Sequence, residues 1–102
     1  MKYHGDVIEN YLQGNFQITV DIDEYGWEGV LLYHEEIEDD VIPKRHLRNL
    51  VNPLLFHMTT YEDGHGNEWL FALATVPNDV NQLLYATCFK NNEQFTGWIP
   101  KK

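Results

Sequence analysis

The sequence predicts one α+β domain: an antiparallel sheet of five or six strands, arranged as hairpins or a meander, with one or two short helices. Its length is that of a single domain, so residues 1–102 are expected to fold as one unit. Hydrophobic residues make up 43% of the chain and aromatic residues 14%, which is enough to form a core. Short apolar runs with a period of two alternate with turn-forming residues, a pattern typical of antiparallel sheets.

The first predicted element is a short helix over residues 6–13. Asp6 is placed to cap its first turn, and Glu9 follows three residues later, as in a capping box. Gly14 is the expected end of the helix. Four apolar residues would share one of its faces: Val7, Ile8, Tyr11 and Leu12.

A β-hairpin is predicted next, over residues 16–33. Apolar and polar residues alternate strictly along residues 16–23, which is typical of a half-buried strand. Residues 24–26 would form the turn, and residues 27–33 would return as the second strand. Three acidic side chains would lie on the outer face of this hairpin: Asp21, Asp23 and Glu28.

A charged run over residues 34–40 is expected to be a surface loop or the end of a strand, and a second helix follows it. Pro43 suits the first position of that helix, which would extend to Val51. Pro53 would end it, because proline inside a helix removes a hydrogen bond and costs about 3 kcal/mol. The alternative is a longer helix that is kinked at Pro53 and continues to Met58.

The rest of the chain is predicted to be sheet. Residues 54–61 and 68–76 are apolar, β-branched and aromatic runs on either side of a glycine-rich turn over residues 63–67. Beyond them, residues 82–99 have two interpretations. They would form either a hairpin or a segment that begins with a helix, and the alternation of large side chains with small or polar ones favours the hairpin.

Negative charge is concentrated in the first two-fifths of the chain. The sequence has 16 acidic and 7 basic residues, a formal net charge of −9. Residues 1–42 contain eleven acidic residues and one basic residue, whereas residues 43–102 contain five acidic and six basic residues. A field of this sign repels nucleic-acid phosphates and anionic membranes and attracts basic partners. A role in solubility alone is the competing interpretation.

No motif for catalysis, a metal or a cofactor is recognisable in the sequence. The five histidines lack the spacing of the common zinc motifs, and one cysteine supplies at most one sulfur ligand. Cys88 has apolar neighbours and is expected to be buried and unreactive rather than a nucleophile. His57 lies in an apolar run and is expected to be a hydrogen-bonded strand residue. We therefore expect no metal, no cofactor and no enzymatic activity.

The only basic cluster of the sequence, Lys44, Arg45, His46 and Arg48, belongs to the predicted second helix. Lys44, Arg45 and Arg48 would lie close together on the helix surface, away from its apolar residues. The acidic character of the whole molecule argues against nucleic acid as their ligand. A solvated helix face, or pairing with the acidic residues 35–40, is the expected role of these side chains.

Electrostatics and the lack of an active-site motif together favour a binding protein. We expect a small acidic inhibitor, of the immunity or anti-defence type, whose carboxylates occupy the phosphate positions of a basic nucleic-acid-handling partner such as a nuclease. Aromatic side chains beside the acidic ones would anchor the contact. The predicted partner-binding residues are Asp21, Asp23, Tyr25, Trp27, Glu28, Tyr33, Glu35, Glu36, Glu38, Asp39 and Asp40.

Two other functions remain open at the level of sequence. The first is a structural or adaptor subunit of a phage or bacterial assembly, in which the interface is apolar and the acidic residues only maintain solubility. The second is a small enzyme whose site uses His57, Cys88 or a buried carboxylate. The sequence has no apolar stretch of about 20 residues and no recognisable signal peptide, so a cytoplasmic location without membrane contact is expected.

Overall fold

The structure, a computed structural model, describes residues 5–23 and 25–100. It contains two α-helices, one short 3-10 helix over His34–Glu36, and five strands. The helices and strands, in chain order within each class, are α1 (Gly5–Phe16), α2 (Lys44–Leu47), β1 (Glu28–Leu32), β2 (Leu54–Glu62), β3 (Glu68–Val76), β4 (Asp79–Lys90) and β5 (Glu93–Trp98).

The five strands form one antiparallel meander in the order β1-β2-β3-β4-β5. Each strand after β1 pairs with the strand before it, and every pair is antiparallel. The α+β class, the five-stranded sheet and the two short helices of the prediction are therefore confirmed. The strands β1 and β5 form the two edges.

The sheet has two apolar faces that are covered by different parts of the chain. On the first, called the helix face, α1 and residues 18–22 pack against β3 and β4. The core residues of this face include Ile8, Leu12, Phe71 and Cys88, each 0% exposed. On the second, called the groove face, residues 37–50 pack against a smaller core. Its buried members are Ile37, Ile42, Leu47, Leu54, Phe56, Ala72, Ala74 and Tyr85.

The predicted strand over residues 16–23 is wrong, and so is the hairpin over residues 16–33. Residues 17–23 belong to no helix or strand, and β1 pairs with β2 instead. The alternation was correct for burial, because Val20 and Ile22 are buried while Asp21 and Asp23 are exposed. Hydrogen bonds to α1 hold this segment: the Ile22 N–H donates to Glu9 Oε2 at 2.7 Å. Alternation of apolar and polar residues therefore showed that one side of the segment is buried, but not that the segment pairs with another strand.

Helix α1 passes through Gly14, where the prediction ended it, and stops at Phe16. Two hydrogen bonds close its end: the N–H of Gln17 donates to the carbonyl of Gln13, as in an αL motif, and the N–H of Ile18 donates to the carbonyl of Leu12. Gln17 takes the left-handed conformation, with φ of 57°. The position that glycine usually occupies in this motif is thus filled by Gln17, three residues beyond Gly14.

The break at Pro53 is confirmed, and the alternative of a longer helix is wrong. Helix α2 has only four residues, with Pro43 at the position before its first residue, and β2 begins at Leu54. The predicted hairpin near the C-terminus is also confirmed, although β4 begins earlier than expected, at Asp79. The turn between β4 and β5 consists of Asn91 and Asn92, both with positive φ.

Candidate functional site

The predicted partner-binding residues lie mainly on the surface of the molecule. Ten of the eleven are exposed, and the exception, Trp27, is partly buried. The exposed ones are Asp21, Asp23, Tyr25, Glu28, Tyr33, Glu35, Glu36, Glu38, Asp39 and Asp40. Glu24, which belongs to the predicted turn between them, lies outside the described residues.

Three of the exposed carboxylates stabilise the local backbone. The N–H of Tyr25 donates to Asp23 Oδ1 at 2.9 Å, and the N–H of Tyr33 donates to Glu36 Oε1 at 2.9 Å. The N–H of Lys44, the first residue of α2, donates to Asp39 Oδ1 at 3.0 Å. These hydrogen bonds are typical of side chains that cap turns and helix starts. Asp23, Glu36 and Asp39 therefore have a structural role whatever else they contact.

The other five carboxylates have no such role. Within residues 5–23 and 25–100, no hydrogen bond or ion pair is recorded for them, and all five side chains face solvent. They are Asp21, Glu28, Glu35, Glu38 and Asp40. These five carboxylates are the ones whose charge is available to a partner, because their removal breaks no contact that holds the fold.

The three aromatic residues of the prediction differ in their environment. Tyr25 is 88% exposed and Tyr33 is 49% exposed. Trp27 packs against the core of the helix face, and its indole N–H is buried without a hydrogen-bond acceptor among the described residues. Tyr25 and Tyr33 are thus placed to contact a partner, whereas most of the Trp27 side chain packs against the core.

Strand β1 separates the two acidic stretches. Asp21, Asp23 and Tyr25 precede it, and residues 33–40 follow its last residue, Leu32. At about 3.3 Å per residue, Glu28 and Tyr33 lie about 17 Å apart along the strand. Glu28 therefore lies on an edge strand, and the other predicted residues lie in the segments before and after this strand rather than on the outer face of a hairpin.

A groove on the groove face was not predicted from the sequence. Its volume is about 640 Å³, and it lies where residues 37–50 leave the sheet uncovered. Leu32 and Val41 form one wall, and side chains from β2, β3 and β4 form the floor. The apolar floor residues are Phe56, Met58, Leu70, Ala72 and Phe89.

Carboxylates stand at the far end of this groove. Glu62 and Glu68 both line it, and they lie directly opposite each other across the β2–β3 pair. Glu28 is opposite Met58 across the β1–β2 pair, so its side chain is on the same face as the groove floor. Two like charges directly opposite on neighbouring strands reduce the stability of a sheet. The groove therefore combines an apolar floor with negative charge.

The sequence of β3 indicated that both faces of the sheet are apolar, but not that a groove remains on one of them. All but the first residue of that strand, Glu68, are apolar or threonine, and such a continuous run is typical of a strand whose two faces are both covered. Only α1 has the length to cover a whole face, since α2 has four residues. The apolar character of the second face was therefore foreseeable from the sequence, whereas its incomplete cover was set by the fold.

The groups considered for an enzymatic site do not line this groove. His57 is 5% exposed, and its Nε2 lies 3.0 Å from Thr75 Oγ1. Cys88 is fully buried on the helix face, and burial raises the pKa of its thiol to about 12. Cys88 is thus buried, and His57 is a hydrogen-bonded strand residue, as the sequence predicted for each.

The described residues contain no group of three or more His, Cys, Asp or Glu that could hold a metal ion. None of the described helices has the length and hydrophobicity needed to cross a membrane. The basic residues of the predicted second helix are exposed: Lys44 and Arg45 lie in α2, and Arg48 directly follows it. Comparison with known proteins returned no match to a family model, a curated protein or a solved structure.

Proposed function

We propose that this protein is a small acidic inhibitor, of the immunity or anti-defence type, that binds a basic nucleic-acid-handling protein such as a nuclease in the cytoplasm. The observation that supports the proposal is the set of five exposed carboxylates that hold no local structure: Asp21, Glu28, Glu35, Glu38 and Asp40. Carboxylates that stabilise nothing in their own fold are available to be desolvated against cations of a partner.

The mode of inhibition is occupation of a phosphate-binding surface. A nuclease binds its substrate backbone through Lys and Arg side chains, so carboxylates spaced along an edge of the inhibitor compete with phosphates for the same cations. Tyr25 and Tyr33 would supply apolar contact beside the charges, since tyrosine is enriched among residues that dominate binding energy. Long-range attraction by the net charge of −9 would raise the association rate.

The test is capture of the partner followed by an activity assay. The tagged protein is exposed to lysate of the source organism at low and at high salt, and bound proteins are identified by mass spectrometry. We expect a basic nucleic-acid-binding protein that is released by salt. Its cleavage of, or binding to, nucleic acid is then measured with and without the acidic protein, and inhibition at stoichiometric concentration is expected.

A pair of charge-matched variants tests whether the location of the charge matters. Neutralising three of the five carboxylates, by Glu35→Gln, Glu38→Gln and Asp40→Asn, changes the formal net charge from −9 to −6. Because an exposed ion pair contributes about 0.2–1 kcal/mol, the loss of three should weaken inhibition about tenfold.

The matched control reaches the same net charge of −6 with lysines at exposed neutral positions elsewhere, by Asn10→Lys, Asn81→Lys and Gln82→Lys. We expect this variant to inhibit nearly as well as the original protein. Equal weakening by both variants would show that only total charge matters. Capture that is insensitive to salt and to both variants would contradict the inhibitor proposal and favour a structural or adaptor subunit with an apolar interface.

A further inference from the structure

The two faces of the sheet differ in how much of their apolar surface the chain covers. Leu70 and Phe89 lie opposite each other on β3 and β4 and line the groove. Among the described residues, neither belongs to or packs against either core cluster. Their neighbours on the opposite face, Phe71 and Cys88, are fully buried. The fold thus leaves apolar side chains at the groove floor with no partner from its own core.

The size of the groove suits several side chains of another molecule. Its volume of about 640 Å³ lies within the range of about 300–1,000 Å³ that is typical of ligand-binding cavities. Along β2, the groove extends from Phe56 to Glu62, which corresponds to about 20 Å at the rise of a strand. An extended segment of about six residues has that length.

The charges around the groove decide what kind of segment it fits. Glu62 and Glu68 line one end, and Val41 on the opposite wall directly follows the exposed Asp39 and Asp40. Glu28 extends from β1 on the same face of the sheet. Cations of an incoming segment would relieve the repulsion between the paired Glu62 and Glu68 carboxylates. An acidic segment or a second copy of this chain, whose net charge is −9, would be repelled.

We propose that the groove binds an extended basic segment of the partner, with Leu or Phe side chains on the floor formed by Met58, Leu70 and Phe89 and with Lys or Arg side chains against Glu62 and Glu68. The basic character of the partner rests on the proposed function, whereas the apolar anchoring is an additional property. The exposed carboxylates beside β1 then attract the partner, and the groove holds it.

The test uses synthetic peptides as probes. The first is a capped peptide in which Arg alternates with Leu and Phe, so that its apolar side chains share one side of an extended chain. The second replaces Leu and Phe with Ser, and the third replaces Arg with Glu. Binding to the whole protein is measured by fluorescence anisotropy and by methyl shifts of Met58, Leu70 and Val41. We expect the first peptide to bind about tenfold more tightly than the second, and the third not to bind.

Matched variants locate the binding. Leu70→Thr, on the groove floor, should weaken binding of the first peptide about tenfold, because it removes an apolar contact while retaining a residue suited to a strand. Leu31→Thr is the control, since Leu31 is 49% exposed on β1 and does not line the groove. The double variant Glu62→Gln and Glu68→Gln, which alters only surface charge, should weaken binding about threefold and reduce its salt dependence.

Failure of this inference is distinguishable from failure of the proposed function. If the first peptide responds to Glu35→Gln and Glu38→Gln but not to the groove variants, the groove is not the binding site, and the inhibitor proposal stands. Equal binding of the Arg and Glu peptides would overturn the basic occupant. Absence of methyl shifts at the groove with saturating peptide would overturn the groove as a site, whatever the capture experiment finds.

Discussion

The helix face and the groove face of the sheet are built from alternate residues of the same strands, yet they are covered in different ways. In β3, Phe71 and Leu73 point to the helix face and are 0% exposed, while Leu70 points to the groove face and is only partly buried. The cover of the helix face is a helix of 12 residues, whereas that of the groove face includes a helix of four. The sequence of a strand does not by itself decide how deeply its side chains are buried, because burial also depends on the length of the segment that covers each face.

Two neighbouring carboxylates, Asp63 and Glu62, also differ in their hydrogen bonds. Asp63, in the turn between β2 and β3, accepts hydrogen bonds from the indole N–H of Trp69 and from backbone and side-chain N–H groups of Asn67. Next to it, Glu62 stands opposite Glu68 on the groove face, with no hydrogen bond recorded for either side chain among the described residues. A carboxylate that accepts hydrogen bonds, such as Asp63, stabilises the fold. A pair of carboxylates without hydrogen bonds, such as Glu62 and Glu68, is suited to bind a partner.

The largest expected difference between the faces is in stability. Phe71→Ala should lower the free energy of unfolding by about 3–5 kcal/mol, because it leaves a cavity in the core of the helix face. Leu70→Ala, at the adjacent residue of the same strand, should lower it by about 1 kcal/mol, since the groove is already open to water. Urea unfolding measures both values. Similar losses in the two variants would show that the faces are covered equally.

The next largest effect is the pH-dependent stability that the Asp63 carboxylate contributes. Hydrogen bonds from Trp69 and Asn67 hold the pKa of this carboxyl well below its usual range. A lowered pKa in the folded state stabilises the protein above the unfolded pKa of about 4, and that stabilisation is lost as the pH falls further. Asp63→Asn should therefore lower the melting temperature at pH 7, and the difference from the original protein should shrink as the pH falls below about 4.

Glu62→Gln is the matched control for Asp63→Asn. It removes a carboxylate one residue away, but that carboxylate faces Glu68 and holds no turn. We expect its melting temperature at pH 7 to be unchanged or slightly raised, because the repulsion between the two glutamates is relieved. A destabilisation as large as that of Asp63→Asn would contradict the distinction between the two carboxylates.

A substitution in α1, the helix that covers the helix face, is expected to stabilise the protein rather than destabilise it, by a smaller amount. Gly14 is exposed within α1, and a Cβ atom there would meet no atom within 4 Å. Gly14→Ala should raise the free energy of unfolding by about 1 kcal/mol, through the helix propensity of alanine. Gly97→Ala provides the contrast, because its Cβ would lie 2.7 Å from Tyr85 Oη. Chemical denaturation should show stabilisation by the first substitution and destabilisation by the second.

The last prediction concerns thiol reactivity and involves little change in stability. Cys88 is buried on the helix face with the pKa of its thiol raised to about 12, so it should react with a chromogenic disulfide only as the protein unfolds. A cysteine placed in the groove by Leu70→Cys should react in the native state. Rapid labelling of Cys88 without denaturant would show that the helix face is not sealed.

Sequence reasoning identified all five strands and added one, over residues 16–23, that does not form. The breaks at Pro53 and at residues 63–67 were predictable because proline and turn-forming residues act locally. Residues 16–23 were predicted to form a strand because apolar and polar residues alternate along them. Alternation indicates that one side of a segment is buried, but it does not indicate which element covers that side. Similarly, Gly14 was expected to end α1, but the hydrogen bonds of Gln17 and Ile18 set the end.

For the candidate site, the exposed residues were predictable from the sequence, and the structure showed which of them hold the local backbone. Charge placed Asp23, Glu35 and Asp39 on the surface, as the structure has them. Only the fold distinguished carboxylates that bond to the backbone, such as Asp23 and Asp39, from those such as Glu35 that do not. Glu62 and Glu68 were not predicted as site residues, since their meeting across two strands depends on the pairing register.

The class of fold, the break points of the chain and the excess of negative charge follow from the order of the amino acids alone. These properties depend on composition, on local propensity and on the period of the side chains, all of which can be read along the chain. The tertiary structure decided which strand each segment pairs with, which face of the sheet is fully covered, and that a groove with an acidic end remains on the other. Those properties depend on contacts between distant residues and on the length of chain available to cover a surface, which no local pattern records.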